Sequence, residues 1–209
     1  MSITLDQGLA ELGLRLPASQ TQQLNDYLGL IQKWTRVYNL TAVRDPAEML
    51  THHLLDSLSV IVPLRRQLAG KSGQRLLDVG SGAGLPGVVI AICCPELAVS
   101  CVDTVAKKAA FIQQAALTLK LPNLQGIHAR VENLTEKFDV ISSRAFASLK
   151  DFTDGSAQAL AEGGVWMAMK GRHPADEIAQ LSCAEVFHVE QLQVPGLDAE
   201  RCLLWLRPI

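Results

Sequence analysis

Residues 76–92, LLDVGSGAGLPGVVIAI, decide how the rest of the chain is organised. The segment opens with a short apolar run that ends at Asp78 and Val79, continues with four glycines in eight residues, and then becomes apolar again. This order predicts a buried strand, a glycine-rich turn and a helix. Because glycine has no Cβ, a ligand can approach the backbone of such a turn closely, and the first turn of the helix directs unpaired N–H groups towards it.

Two classes of nucleotide ligand use a turn of this kind. Read from Gly82, the segment contains the dinucleotide pattern G-x-G-x-x-G, but Pro86 then stands where the helix should begin. Read from Asp78, it is D-V-G-S-G-A-G, which resembles the first motif of class I S-adenosylmethionine-dependent methyltransferases. Asp103 ends the next predicted strand, about 20 residues after the turn, where an acid binds ribose hydroxyls in nucleotide-binding sheets. This spacing favours a nucleoside-containing cofactor over a turn without a ligand.

Composition narrows the class of protein. The chain has 209 residues, 48% of them hydrophobic, which predicts one full-sized domain with an extension and a large core. No apolar run is long enough to span a membrane and no secretion signal is visible, so we expect a soluble, cytoplasmic protein that makes no membrane contact. The five cysteines show no C-x-x-C spacing, which favours buried free thiols over a metal site. A net charge of −2 leaves room for a local basic surface.

Residues 1–72 are predicted to form a helical extension. Apolar side chains recur at three- and four-residue spacing in residues 24–34, which indicates a helix with one buried face. Asp45 followed by Pro46 is typical of the start of a second helix, and Pro63 and Gly70 are interpreted as closing the helical region.

Residues 73–209 are predicted to form the cofactor-binding domain, packed with the extension into one compact unit. Strands and helices alternate here, which predicts an α/β fold with a doubly wound, mostly parallel sheet. Residues 151–162 and 174–183 are among the predicted helices, and the first of them is predicted to end at Gly163 and Gly164. Residues 185–194 and 202–207 follow each other without a helix between them, so the last strand should be antiparallel.

Three segments carry a resemblance to a known family: KWTRVYNLTAVRDPAEMLTHHLLDS (33–57), LLDVGSGAGLPG (76–87) and VISSRAFASL (140–149). In order and spacing they are similar to those of bacterial small-subunit ribosomal RNA guanine-N7 methyltransferases (RsmG, also called GidB). The similarity covers nearly the whole chain. It implies a class I, Rossmann-like fold and transfer of a methyl group from S-adenosyl-L-methionine to N7 of a specific guanine in 16S ribosomal RNA. The implied partner is the small ribosomal subunit, and we expect a monomer that needs no metal.

The resemblance also implies roles for particular residues. Gly80 is implied to lie under the methionine part of the cofactor, and Arg144 beside the centre of methyl transfer, as the catalytic residue. Asp103 is the ribose acid that the strand spacing predicts. The complete set of predicted cofactor-binding residues is Gly80, Gly82, Leu85, Asp103, Val131, Glu132 and Arg144.

The implied reaction needs few catalytic groups. N7 of guanine has a lone pair and carries no proton, so positioning and removal of water can suffice without a general base. A flipped base is expected to be held by an aromatic ring or an arginine, and the candidates are Arg144, Phe146 and Tyr38.

Basic residues give a weaker indication of RNA binding. Three groups of basic residues are predicted to form a rim around the cofactor site. Lys107, Lys108 and Lys120 are interpreted instead as a solvated face. Adjacent His52 and His53 are candidates either for RNA contact or for hydrogen-bonded packing, and Asp56 is predicted to pair with one of them. The rim candidates are Lys33, Arg36 and Arg44, then Arg65, Arg66 and Lys71, then Lys170, Arg172 and His173.

Three alternatives stay open on the residues alone. The first is a methyltransferase of the same fold that acts on a small molecule or a protein, although residues 142–145, SSRA, replace the N-P-P-Y type motif that amino-group methylation favours. The second is an RNA-binding protein without catalysis. The third, an NAD-dependent oxidoreductase, lacks a recognisable hydride-transfer site.

Overall fold

The computed structural model describes residues 3–144 and 148–209. Its strands are β1 (Arg75–Val79), β2 (Ala98–Asp103), β3 (Leu124–His128), β4 (Phe138–Arg144), β5 (Leu160–Lys170), β6 (Ala184–Leu192) and β7 (Arg201–Pro208). They form one seven-stranded sheet in the order β3-β2-β1-β4-β5-β7-β6.

The strand directions confirm the predicted α/β architecture. Strands β1 to β5 run parallel to one another, whereas β7 is antiparallel to both β5 and β6. The strand order reverses between β1 and β4, because β2 and β3 lie on one side of β1 while β4 and β5 lie on the other. Loops at the carboxyl ends of β1 and β4 therefore diverge, and this divergence opens the crevice in which such sheets bind ligands.

Helices cover both faces of the sheet. The helical elements are α1 (Leu5–Glu11), α2 (Ala18–Tyr38), α3 (Pro46–Met49), a π-helical segment (Leu50–Leu55), α4 (Asp56–Leu58), α5 (Ile61–Gln67), α6 (Gly87–Cys93), α7 (Ala106–Thr118), α8 (Leu149–Ser156) and α9 (Ala175–Ile178). One buried apolar cluster joins the amino-terminal helices, α6 and α7 to the sheet. A second cluster lies on the opposite face, beneath α8. No helix within the described ranges has the length and apolarity needed to cross a membrane.

Helix α2 connects the amino-terminal extension to the glycine turn. Its buried residues Leu24, Tyr27 and Ile31 lie on one face, as the apolar spacing predicts, and it ends at Asn39 in the left-handed conformation, with φ 51°. The hydroxyl of Tyr27, buried in the core, donates a hydrogen bond of 2.6 Å to the carbonyl oxygen of Ala83. The extension therefore contacts the backbone of the turn directly.

The second amino-terminal helix begins as predicted but continues differently. The side chain of Asp45 accepts hydrogen bonds from the backbone N–H groups of Ala47 and Glu48. The chain then passes from α3 through the π-helical segment into α4. Pro63 lies in the first turn of α5, where proline costs no intrahelical hydrogen bond, so it does not close the helical region. The region closes between the end of α5 and Gly70, which has φ +77°, as predicted for Gly70.

Two further helix predictions were too long. Helix α8 ends at Ser156, and β5 starts at Leu160, so Gly163 and Gly164 lie inside a strand rather than at a helix end. Gly163 has φ +70°, and the pairing of β4 with β5 shifts register between Phe138 and Val140, which is typical of glycine at a β-bulge. Similarly, residues 174–183 contain only the single turn α9.

Candidate active site

The glycine turn is fixed by the strands beneath it. The backbone N–H of Gly80 donates to the carbonyl of Val102 at 2.9 Å. Gly80 and Gly82 have φ values of +64° and +58°, a backbone conformation that residues with a side chain rarely adopt. This explains why glycine is needed at both positions and leaves the upper surface of the turn open.

Asp78 holds the start of α6 from below the turn. Its carboxylate accepts hydrogen bonds from the backbone N–H of Gly87 at 3.0 Å and from the hydroxyl of Ser142 at 2.8 Å. Burial raises the pKa of Asp78 to about 7, although both hydrogen bonds and nearby Arg144 act in the opposite direction. Asp78 therefore has a structural position, beneath the ligand surface rather than on it.

A cavity of about 370 Å³ lies above the carboxyl ends of β1, β2 and β3. Its volume is in the range of small-molecule sites. The residues that line it are Val79, Gly80, Val102, Asp103, Thr104, Val105, Lys108, Ala129, Arg130, Val131 and Glu132.

The cavity brings together four of the predicted cofactor residues: Gly80, Asp103, Val131 and Glu132. Gly82, Leu85 and Arg144 are not among the residues that line it. Gly82 lies next to the cavity through its N–H, which donates to Asp103, whereas Leu85 is buried in the core with 3% exposure.

Asp103 is held in place by the backbone on two sides. One carboxylate oxygen accepts from the N–H of Gly82 at 3.0 Å and the other from the N–H of Val105 at 2.9 Å. Each carboxylate oxygen has a second lone pair, so the group can still accept hydrogen bonds from a ligand. Lys108 lies 3.7 Å from this carboxylate and lines the cavity, so its interpretation as part of a solvated face was wrong.

The chemistry of this cavity fits a nucleoside ligand. An acid at the end of β2 offers acceptors for a pair of ribose hydroxyls, and Val102 and Val131 supply apolar contact surface. Gly80 leaves room above the turn because it has no side chain. The residues present therefore match a nucleoside-containing cofactor such as S-adenosylmethionine.

A second cavity, of about 380 Å³, lies over the carboxyl ends of β4 and β5 and the first residue of β7. The π-helical segment and α4 cover it from the amino-terminal extension. The lining residues are His52, His53, Asp56, Arg144, Met169, Lys170, Gly171 and Arg201.

Asp56 joins the two arginines of this cavity. The Asp56 side chain is 4% exposed, and one of its oxygens accepts from Arg144 at 3.0 Å while the other accepts from Arg201 at 3.0 Å. Arg144 also donates to the carbonyl of His52 at 2.8 Å. The prediction that Asp56 pairs with a neighbouring histidine was therefore wrong, because the π-helical turn directs its carboxylate towards the sheet.

His53 is buried at the inner side of the same cavity. Its Nε2 lies 2.8 Å from the hydroxyl of Thr41. Burial, followed by the charge of Arg144, lowers the pKa of His53 to about 4, so the imidazole is neutral at pH 7. This matches the interpretation of a packed, hydrogen-bonded histidine, whereas His52 is half-buried and accepts from Arg144 through its carbonyl.

Arg201 is the site residue that the sequence interpretation missed. It is the first residue of β7, and the pairing of Cys202 with Lys170 places it at the carboxyl end of β5. The prediction of an antiparallel last strand contained the necessary signal, because the amino end of such a strand lies at the carboxyl edge of its parallel neighbours.

The other RNA-binding candidates are divided by the fold. Lys170 lines the second cavity and, with Arg172 and His173, a neighbouring cavity in the following loop. Arg65 and Lys71, however, line a cavity beside residues that precede β1 and β2, at the opposite edge of the sheet. They were wrongly included in the predicted rim.

The aromatic candidates do not complete the site in the described residues. Tyr38 lies against Trp34, with Lys107 over its ring at 5.6 Å, and it lines neither of the two site cavities described here. Phe146 falls at positions 145–147, outside the described residues.

The sheet order, with β7 antiparallel to both of its neighbours, is that of the class I methyltransferase fold. Similar solved structures include TrmN from Thermus thermophilus, with a TM-score of 0.58 and 20% identity over 77% of this chain and 53% of that one. The N-methyltransferase NodS from Bradyrhizobium japonicum WM9, in complex with S-adenosyl-l-homocysteine, has a TM-score of 0.57 and 17% identity over 91% of this chain and 98% of its own. At such identities the likeness shows the fold alone.

Sequence similarity is more specific than the fold. The profile of the GidB family, described as rRNA small subunit methyltransferase G, matches residues 20–204. A relative from Polaromonas sp. (strain JS666 / ATCC BAA-500), called ribosomal RNA small subunit methyltransferase G, is 71% identical over 97% of this chain and 92% of its own length. A relative of the same name from Acidovorax sp. (strain JS42) is 68% identical over 98% and 94%. The chain belongs to the GidB family of methyltransferases.

Proposed function

We propose that the protein transfers a methyl group from S-adenosyl-L-methionine to N7 of a specific guanine in 16S ribosomal RNA. The observation that carries the proposal is the pair of cavities on either side of the β1–β4 switch point, one suited to a nucleoside and one lined by cations. The family and the names of its relatives support ribosomal RNA as the substrate class.

In this proposal the cofactor is held by the residues around the first cavity. Asp103 accepts hydrogen bonds from the ribose hydroxyls, Val131 and Glu132 bracket the adenine, and Gly80 leaves room for the methionine part. Gly82 keeps Asp103 in position through its N–H. Leu85, whose side chain is buried in the core, would contact the cofactor only through the backbone of the turn. When bound, S-adenosylmethionine supplies a methyl group on an already activated sulfonium.

The residues of the chain then have a positioning task. Guanine N7 needs no deprotonation before it attacks, so its alignment and the exclusion of water account for the acceleration. Arg144 is the proposed catalytic residue, because it ends β4 beside β1 at the switch point and lines the second cavity. We expect the protein to act in the cytoplasm, as a monomer and without a metal.

Methyl transfer to ribosomal particles tests the function directly. Labelled S-adenosylmethionine is incubated with small ribosomal subunits that lack the modification, and the nucleosides of the RNA are then separated. We expect label in N7-methylguanosine of the small-subunit RNA. Cofactor binding without transfer to subunits or free RNA would instead favour a small-molecule or protein substrate.

Arg144→Ala tests the catalytic role. We expect turnover to fall about 100-fold, because a misplacement of the reacting atoms by about 1 Å costs a factor of this order. The affinity for S-adenosylmethionine, measured by calorimetry, should fall less than turnover does, because Arg144 is among the predicted cofactor-binding residues but does not line the first cavity. Full turnover in this variant would contradict the assignment.

A further inference from the structure

The buried carboxylate of Asp56 lies between two guanidinium groups that come from distant parts of the chain. Arg144 is 88 residues away and Arg201 is 145 residues away. Each arginine donates to a different oxygen of Asp56, at 3.0 Å in both cases. Because both oxygens are engaged, the carboxylate fixes the positions of two cations at once.

Each guanidinium keeps donors for a further ligand. Within the described ranges, Arg144 bonds through Nη1 alone, and Arg201 uses Nε and Nη1. Their side chains are 21% and 24% exposed, and both line the second cavity. The remaining N–H groups are therefore available to an acceptor that enters from solvent.

Charge around the cavity favours an anion. Two guanidiniums face one carboxylate, and Lys170, which pairs with Glu177 at 2.8 Å, lines the same cavity. The adjoining cavity shares Lys170 and adds Arg172 and His173, so basic residues continue along the surface. A planar guanidinium fork matches the oxygens of a phosphate.

The chemistry of the proposed reaction disfavours the guanine base as the partner of these arginines. Methylation at N7 leaves a positive charge on the ring, and a guanidinium against the base edge would oppose this charge. The same guanidinium on a phosphate has no such conflict, because the phosphate stays anionic throughout. The phosphate also identifies no base, so this contact positions the RNA strand rather than selecting the sequence.

We propose that Arg144 and Arg201 form a clamp for an RNA backbone phosphate beside the target guanine, and that Asp56 is the positioning residue of this clamp. The proposal rests on the proposed function and adds a specific ligand group to its substrate side. Asp56 belongs to the amino-terminal extension, so the clamp also gives the extension a role in the reaction.

The dependence of KM on salt tests the clamp. The KM for unmodified small ribosomal subunits is measured at several salt concentrations, with S-adenosylmethionine affinity measured in parallel. Removing one phosphate contact lowers the slope of log KM against log salt by about 1. For Arg201→Ala, the ratio of its KM to that of the wild type should therefore fall roughly fourfold between about 50 and about 200 mM salt. The affinity for S-adenosylmethionine should not change.

Arg207→Ala is the matched control. Arg207 lies on the same strand, pairs with Glu185 and is exposed. The Arg207→Ala variant removes the same charge far from the cavity, so its slope of log KM against log salt should equal that of the wild type. An unchanged slope in Arg201→Ala, with active wild-type protein, would overturn the clamp and leave the proposed function intact. An inactive wild type would instead contradict the proposed function.

Asp56→Asn tests the positioning role. This variant keeps both arginine charges but removes one of the two acceptors, so we expect kcat to fall while cofactor affinity and the salt slope stay unchanged. In the Arg201→Ala background the same substitution should cost markedly less, because coupled residues are not additive. Additive losses would overturn the positioning role. If Asp56→Asn fails to fold, Asp56→Glu takes its place in the cycle, and the same comparison decides.

Discussion

The replacement of Gly80 by aspartate is the sharpest test of the cofactor site. Gly80 has φ +64°, so any side chain there costs about 1 kcal/mol in backbone strain. The new carboxylate would lie in the cavity of about 370 Å³ that also holds Asp103. Burying an unpaired polar group under the ligand costs about 3 kcal/mol of binding free energy. This cost weakens binding by a factor of about 100. We expect calorimetry with S-adenosylmethionine to show no measurable binding, although the fold survives.

Gly163→Asp separates this effect from strain and charge. Gly163 has φ +70°, a Cβ there would meet no atom of the described residues within 4 Å, and the residue lies at the exposed start of β5. The variant therefore introduces the same backbone conformation and the same charge away from the cavity. Both variants should lose about 2–4 °C of melting temperature for each kcal/mol of strain, but Gly163→Asp should bind the cofactor normally. Normal affinity in Gly80→Asp, or equal loss in both variants, would refute the placement of the site.

Two further predictions concern the support beneath the turn. A Cβ at Gly87 would lie 2.3 Å from Sγ of Cys101, so Gly87→Ala should lower the free energy of unfolding by about 1–3 kcal/mol. Adding Cys101→Ala should recover part of this loss in urea denaturation, and equal losses in the single and double variants would contradict the steric explanation. Burial raises the pKa of Asp78 to about 7, so the folded protein retains a proton that the unfolded chain releases above about pH 4. The contribution of Asp78 to the free energy of unfolding is therefore full below about pH 4 and is lost as the pH rises to about 7. Asp78→Asn, which stays neutral, should therefore gain roughly 4 kcal/mol relative to the wild type across that window, whereas a pH-independent difference in urea midpoints would contradict the raised pKa.

The fold was predictable where the signals are local. The apolar run before Gly80 predicts the buried strand β1, and the apolar spacing in residues 24–34 predicts α2. Both patterns depend on which side chains are buried locally along the chain. The pair Gly163 and Gly164 was misread as a helix end, because the sequence does not reveal that β4 shifts register opposite them. Glycine has the same appearance at a helix end and at a β-bulge, and tertiary pairing decides between the two.

The nucleoside cavity could be predicted from the sequence more completely than the clamp of Arg144 and Arg201. The nucleoside cavity is built from residues at the ends of β1 and β2 and in the loop after β3. The strand spacing predicts Asp103, whereas Gly80 and Val131 are implied by the resemblance to the family. The clamp is different, because Asp56 reaches Arg144 and Arg201 only after the extension has packed on the sheet. A regular α-helix would have aligned Asp56 with His52 or His53, and the π-helical turn that changes its direction has no clear sequence signature.

The nucleoside cavity and the clamp should respond differently to substitutions elsewhere in the chain. Backbone hydrogen bonds within the sheet domain hold Asp103 and the glycine turn, whereas one carboxylate of the extension holds the two arginines. Weakening the contact between extension and sheet should therefore disturb the RNA side first. The hydrogen bond from Tyr27 to Ala83 is the direct contact that ties the extension to the turn. We therefore expect cofactor binding and RNA positioning to be coupled through the packing of α2, so that substitutions on its buried face change both together.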